Sequence, residues 1–313
     1  MKDNLKYLII TTLFILSGFI FPAHEIIAQG CGDAGACSIG SMDEEGIHEH
    51  ETEAPRLKIS LDQNVGLGEK FTFISQTSVI AEYRFLNQTS LMVRTPFIFT
   101  SGNLGNSSGI GDVTVSLIQQ VYQKDESRFG FLVAGKIKSN NANFSFAENP
   151  LPMAYQTSLG TYDIIVGAQY LWKTWDFYLA YQHPFGRNQN EYLHPPGETN
   201  ESRLYFESAQ LKRGDDLALR VQKTFLLKNN QSLQPGIMPI YRIQKSEIVK
   251  ADQNVILEGS SGLTLNLYVT YAKKLKGNGI LYLSGAFPVI DRDYRADGLT
   301  RNFVLSLKFT QLW

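Results

Sequence analysis

The densest grouping of reactive side chains lies close to the N-terminus. Cys31 and Cys37 are separated by five residues, and Asp43-Glu44-Glu45 and His48-Glu49-His50-Glu51 follow them. Two thiols this close can pair as a disulfide in an oxidising compartment. Cys31 can alternatively carry a lipid, although Ala28-Gln29-Gly30 lacks the usual small residue two places before such a cysteine. A third chemistry joins the thiols to His48 and His50 around a soft transition metal. A fourth reading leaves both cysteines idle. All four stand open on the residues alone. The surrounding residues 30–55 are small, acidic and turn-prone, without apolar periodicity, and predict a flexible segment ahead of a folded body.

The second group is a set of charges inside stretches that alternate polar and apolar residues. Arg84, Arg94, Lys136, Lys138, Arg220 and Arg242 sit in such stretches, with Glu82 and Asp112 as acids of the same parity. If the stretches cross a membrane, an Arg or Lys facing lipid at mid-depth costs about 2–4 kcal/mol. These side chains are therefore expected to point inward or to sit at a rim. Inward charge either tunes a pore or fills it with ion pairs.

Other candidates for chemistry are sparse. His183, His194, Asp163 and Ser158 are the raw material of a hydrolase, but no strand-to-helix nucleophile turn accompanies them. Gly109-Ile110-Gly111-Asp112 has the glycines of a phosphate loop, yet the residues after it alternate as a strand and open no helix. Asp215-Asp216 and Asp291-Arg292-Asp293 read as loop or turn charges. Neither enzyme activity nor a cofactor is expected.

The elements that position these residues begin with an export signal. Lys2 and Lys6 precede the apolar run Tyr7 to Phe21, and cleavage after Gln29 or Gly30 makes residues 1–29 a signal peptide. No later apolar run has that length, which excludes a bundle of membrane helices. The remaining body, residues 56–313, has period two. Val79, Ala81, Tyr83 and Phe85 alternate with Ser78, Ile80, Glu82 and Arg84. Tyr162, Ile164, Val166, Ala168 and Tyr170 form another set, and Phe303, Leu305, Leu307 and Phe309 a last one. Gly102 to Gly109, Lys228 to Gln231 and Lys276 to Gly279 supply turns. The pattern predicts an all-β body of about 12 strands, within about 10–14.

Alternating strands suit a sandwich in water or a barrel in lipid. Many runs here reach about ten residues, the length that crosses a membrane when tilted, whereas soluble strands are nearer five or six. Aromatic residues gather near strand ends, as at Phe97 and Phe99 or Tyr170 and Trp172, which suits interfacial girdles. Short turns alternate with long polar connections, expected from Asn140 to Met153 and from Phe185 to Ser202. Trp313 ends an alternating strand and resembles the terminal aromatic, usually Phe, read by the barrel assembly machinery. The Asn-x-Ser/Thr triplets at Asn87, Asn106, Asn143, Asn200 and Asn230 then carry no glycan meaning. An antiparallel transmembrane β-barrel in the bacterial outer membrane is the expected fold, with a secreted soluble β-protein as its rival.

Three short stretches carry a family resemblance. Gly109-Ile110-Gly111-Asp112-Val113 opens a strand, Gly135-Lys136-Ile137-Lys138 closes one, and Gly160-Thr161-Tyr162-Asp163-Ile164-Ile165-Val166-Gly167 opens another. Together with Gly298 to Asn302 they resemble the outer-membrane proteins named for the MetA pathway of phenol degradation, themselves similar to FadL-like porins. Lys138-Ser139-Asn140 departs from the Pro-Thr-Gly that the family often shows there. The resemblance implies a barrel that carries small hydrophobic molecules inward across the outer membrane, and the leading expectation is a monomeric channel or transporter for small, hydrophobic or aromatic solutes. Its partners would be outer-membrane lipid, the assembly machinery and the solute. A net charge of −1 gives no reason to expect nucleic acid. The alternative role is an anchor for an N-terminal segment that binds metal or a partner.

Overall fold

The computed structural model describes residues 28–29, 56–86, 88–194, 201–298 and 300–313. The leader up to residue 27 and the segment 30–55, with Cys31, Cys37, His48 and His50, lie outside the described residues.

The alternating stretches form twelve long strands of 8 to 14 residues. They are β1 (Leu57–Gly68), β2 (Phe73–Leu86), β3 (Thr89–Gly102), β4 (Val113–Lys124), β5 (Ser127–Ile137) and β6 (Tyr162–Trp172). Then come β7 (Trp175–Phe185), β8 (Asp216–Lys223), β9 (Gln231–Arg242), β10 (Gly262–Lys274), β11 (Gly279–Ile290) and β12 (Thr300–Leu312). Each pairs antiparallel with its sequence neighbours, and β12 returns to β1 from Val304 opposite Gly66 to Leu312 opposite Lys58. At the seam the Trp313 N–H donates to the Leu57 carbonyl at 2.9 Å, and the Trp313 carbonyl accepts from the Arg56 N–H at 3.0 Å. Closure pairs every long strand on both sides, the condition for strands to exist in hydrocarbon.

Side-chain parity shows which solvent the barrel is built for. Val79, Tyr83, Phe97, Phe131, Leu179 and Leu307 face outward and are exposed all round the wall. Ser60, Gln76, Ser78, Thr114, Gln182 and Thr264 face inward and are buried. In water this arrangement would expose an apolar band far beyond the patch a soluble monomer carries. In a bilayer it is the ordinary alternation of a barrel strand.

Two inward glycines carry close packing. A Cβ on Gly167 would come within 2.7 Å of the Tyr178 hydroxyl, and one on Gly236 would strike the Tyr268 ring. Both tyrosines lie flat across a neighbouring strand because their glycines leave the space, a device that pins register in curved sheets.

The two ends of the barrel differ. Connections 87–88, 125–126, 173–174, 224–230 and 275–278 are short and lie at the end that holds Leu57 and Leu312. Connections 69–72, 103–112, 138–161, 186–215, 243–261 and 291–299 lie at the other. The long connections thus extend further than the expected 140–153 and 185–202, and 243–261 folds its own hairpin from Glu247–Lys250 and Gln253–Ile256. They pack into a cap. Met153, Leu159, Leu211, Ile248, Leu257 and Ala296 form one apolar core, and Leu151, Ala154, Tyr155, Tyr192 and Tyr205 another. Asparagine side chains satisfy the buried loop backbone. Asn190 Nδ2 donates to the carbonyls of Ala142 at 2.9 Å and Leu151 at 3.0 Å, and Asn188 Oδ1 accepts from the Leu211 N–H at 2.9 Å.

Candidate functional site

Along each strand the inward residues run from the cap to the short turns, and they sort into three layers. The layer beneath the cap is charged. Arg242 on β9 is fully buried and bonds both oxygens of Asp216 on β8, at 2.9 and 2.7 Å, and Asp297 in the 291–299 connection at 2.6 Å. Arg292 adds a contact to Asp297 at 3.2 Å. On the adjoining wall Arg213 meets Asp163 at 3.2 Å, Lys136 meets Asp112 at 3.1 Å, and Arg94 meets Asp62 at 3.6 Å. Each arginine or lysine has an acid because an unpaired charge in this low-dielectric space would cost several kcal/mol.

The middle layer is apolar. Met92, Ile118, Leu132, Ala134, Ile165, Tyr178, Ala180, Ala218, Met238 and Ile240 form one buried cluster that runs from β3 to β9, with Ile80 and Tyr268 against it. Ile165 and Leu132 are 0% and 2% exposed. Wall residues of an open aqueous channel would touch water, so this side of the interior is packed. On the opposite wall Thr270, Ser284, Ala286 and Ser306 keep partial exposure. The third layer, toward the short turns, is polar again. Arg220 meets Asp176 at 2.9 Å, Gln169 donates to Asp176 at 2.8 Å, and the Tyr268 hydroxyl donates to Gln222 at 3.0 Å.

Between the cap and the inner wall lies a small cavity of about 50 Å³, partly open to solvent. Ile74, Pro96, Ile98, Met153, Ala154 and Leu159 give it an apolar surface. Arg94, Lys136 and Arg301 bring cationic groups to it, and Asp112 and Asp297 acidic ones.

Burial and charge shift the acids of the cap end in different directions. Burial pushes the Glu69 carboxyl up to about 8, against the opposing pull of Arg295 and Lys70. Burial likewise raises Asp291, to about 6, with Arg295 opposing. Burial acts on Asp297 too, but Arg242 and Arg292 outweigh it and hold that carboxyl well below the usual range.

The expected pore residues occupy these layers. Arg94, Lys136 and Arg242 are buried in the charged layer, and Asp112 accepts from Lys136 and from the Leu159 N–H at 3.1 Å. Arg220 belongs to the turn-side layer. Glu82 pairs with Lys58 at 3.8 Å and Arg84 lies beyond it toward the short turns, half-buried. Lys138 lies just past β5, at the rim, bonded to Asn141 at 2.9 Å and 5.5 Å over the Tyr162 ring. Asp216 opens β8 and is not the loop or turn charge the sequence suggested, whereas Arg292 lies in the 291–299 connection as expected; both are buried in the Arg242 network. Trp313 faces outward at the seam. The hydrolase set does not converge: Asp163 holds Arg213, His183 contacts Asp215 at 2.6 Å, His194 Nε2 contacts the Tyr205 carbonyl at 2.7 Å, and Ser158 donates to the Asn140 carbonyl at 3.1 Å. Among the described residues no group of three or more His, Cys, Asp and Glu side chains gathers as a metal site.

Sequence reasoning missed the apolar belt. Its signal was present in runs that are apolar at both parities, Ile164-Ile165-Val166 and Ile237-Met238-Pro239-Ile240, where a purely lipid-facing alternation predicts polar inward residues.

No protein-family model matches the sequence, and no curated protein matches it. Solved structures do resemble the fold. A crystal structure of an outer membrane channel from Pseudomonas putida F1 matches with a TM-score of 0.56 at 15% identity, over 84% of this chain and 97% of that one. The NanC porin matches at 0.46 with 10% identity, over 82% and 99% of the two chains, and the KdgM porin at 0.42 with 10% identity over the same shares. The fold is a closed twelve-stranded antiparallel barrel of the outer-membrane type.

Proposed function

We propose that this chain is an outer-membrane channel or transporter for small, hydrophobic or aromatic solutes. The observation that carries the reading is the apolar belt on the inner wall. A porin for polar solutes lines its lumen with polar groups and water, whereas here the wall from β3 to β9 packs Met92, Ile118, Leu132, Ile165 and Tyr178 together at mid-depth. A hydrophobic solute passing the belt replaces packed apolar contacts with similar ones, while an ion there would be desolvated without a partner. The short-turn end then faces the periplasm and the cap faces outward, the usual placement of turns and loops. Trp313, directly after the last strand, serves the assembly machinery in this reading. The resemblance of Gly109 to Val113, and of Gly160 to Gly167, to transporters of aromatic compounds agrees with it.

The test is uptake by intact cells of a porin-poor Gram-negative host, whose lipopolysaccharide layer is the barrier to apolar compounds. Cells carrying the full chain should accumulate a labelled monocyclic aromatic several-fold faster than cells with an empty vector. Equal uptake would refute the transport reading.

A further inference from the structure

The short-turn end of the barrel is charged unevenly around its rim. Turns 173–174, 224–230 and 275–278, with the strand ends that flank them, carry Lys173, Lys223, Lys228, Lys273, Lys274 and Lys276. The acid nearest them, Asp176, points into the barrel and holds Arg220 at 2.9 Å. These turns belong to the contiguous sector from β6 to β11. The turn between β4 and β5, by contrast, balances Lys124 and Arg128 with Asp125 and Glu126.

The position of the ammonium groups is informative. Lys173 Nζ lies 5.6 Å from the centre of the Trp172 ring, and Lys223 Nζ lies 5.1 Å from Trp175 and 5.2 Å from Phe225. Trp172 and Phe225 are exposed on the outer, lipid-facing side, and Trp175 stacks on outward Phe177. These cations therefore stand over interfacial aromatics, at headgroup depth, and not over the barrel mouth. Leu226 and Leu227 extend the exposed apolar surface beside them.

We propose that this sector is a binding surface for anionic phospholipid headgroups. Phosphate meets the lysine ammoniums while the acyl chains lie along Trp172, Trp175 and Phe225. Each lysine near a surface of anionic lipid contributes a factor of about five in binding. The outer placement of the cations, over lipid-facing aromatics, favours lipid headgroups as their partner.

The test uses the full chain in nanodiscs of equal phosphatidylglycerol and phosphatidylcholine, with retained lipids counted by native mass spectrometry. The wild type should retain phosphatidylglycerol roughly fivefold over phosphatidylcholine at low salt, and less as ionic strength rises. The triple variant K173Q/K223Q/K273Q should fall to the bulk ratio, while K124Q/R128Q should keep the wild-type ratio. Heat-modifiable gel mobility shows that each variant is a folded barrel. Equal enrichment in the wild type and the triple variant would overturn the proposal. So would a wild type without enrichment that gains it on deletion of residues 43–53, since that result assigns the lysines to the acidic segment.

Discussion

The charged layer beneath the cap and the apolar belt below it are built from the same strands, two residues apart. Lys136 and Ala134 are successive inward residues of β5, Asp163 and Ile165 of β6, and Arg242 and Ile240 of β9. The upper layer holds the 291–299 connection to the wall through Arg242 and Asp297. The belt is held by apolar packing. The contrast separates two tasks. Directional ion pairs fix the cap in one arrangement, and in the function we propose a non-directional apolar surface sets what can pass.

The sharpest way to break the upper layer is Arg242→Ala, which leaves Asp216 and Asp297 buried without their partner. A loss of about 3–5 kcal/mol is expected in urea unfolding of the detergent-solubilised barrel. The belt should respond differently. Ile165→Ala should cost about 2–4 kcal/mol by leaving a cavity, with little dependence on pH or salt. If the two variants show the same salt and pH dependence, the division between the layers fails.

Glu69 sharpens the comparison further. Its folded carboxyl titrates at about 8, raised from 4.5 by burial. The folded state therefore binds more protons than the unfolded state between those values, and stability falls as pH rises through that window, by up to about 1.4 kcal/mol per pH unit. Asp291 adds a weaker slope of the same sign up to about 6, and Asp297 one of opposite sign at low pH. Glu69→Gln should flatten the pH dependence of unfolding between about 5 and 8; an unchanged slope would remove Glu69 from the account. The smallest effect is expected at Lys245 and Glu258, paired at 2.5 Å on the solvent side of the cap with 44% and 77% of their side chains exposed. Lys245→Ala should change stability by less than about 1 kcal/mol.

Much of the wall is legible in the amino-acid pattern. Parity places Val79, Tyr83, Phe131 and Leu307 outward and Ser78, Arg94 and Lys136 inward, because a barrel in lipid imposes a single alternation on every strand. Two features are not legible there. The cap depends on contacts between connections distant in sequence, such as Asn190 with Ala142, which no local pattern encodes. The ion-pair partners depend on register: Asp216 finds Arg242 because β8 and β9 set those residues opposite each other, and parity alone gives only the face. The belt is half legible, since its residues break the alternation toward more apolar character.

The most direct measurement compares uptake of a monocyclic aromatic and of a monosaccharide by cells carrying the wild type or Ile165→Asp. The wild type should admit the aromatic and leave sugar uptake near the vector background. Ile165→Asp, which sets a carboxylate in the belt, should slow the aromatic several-fold. A wild type that passes the sugar as readily as the aromatic, or a variant that carries the aromatic undiminished, would contradict the belt as the selective element.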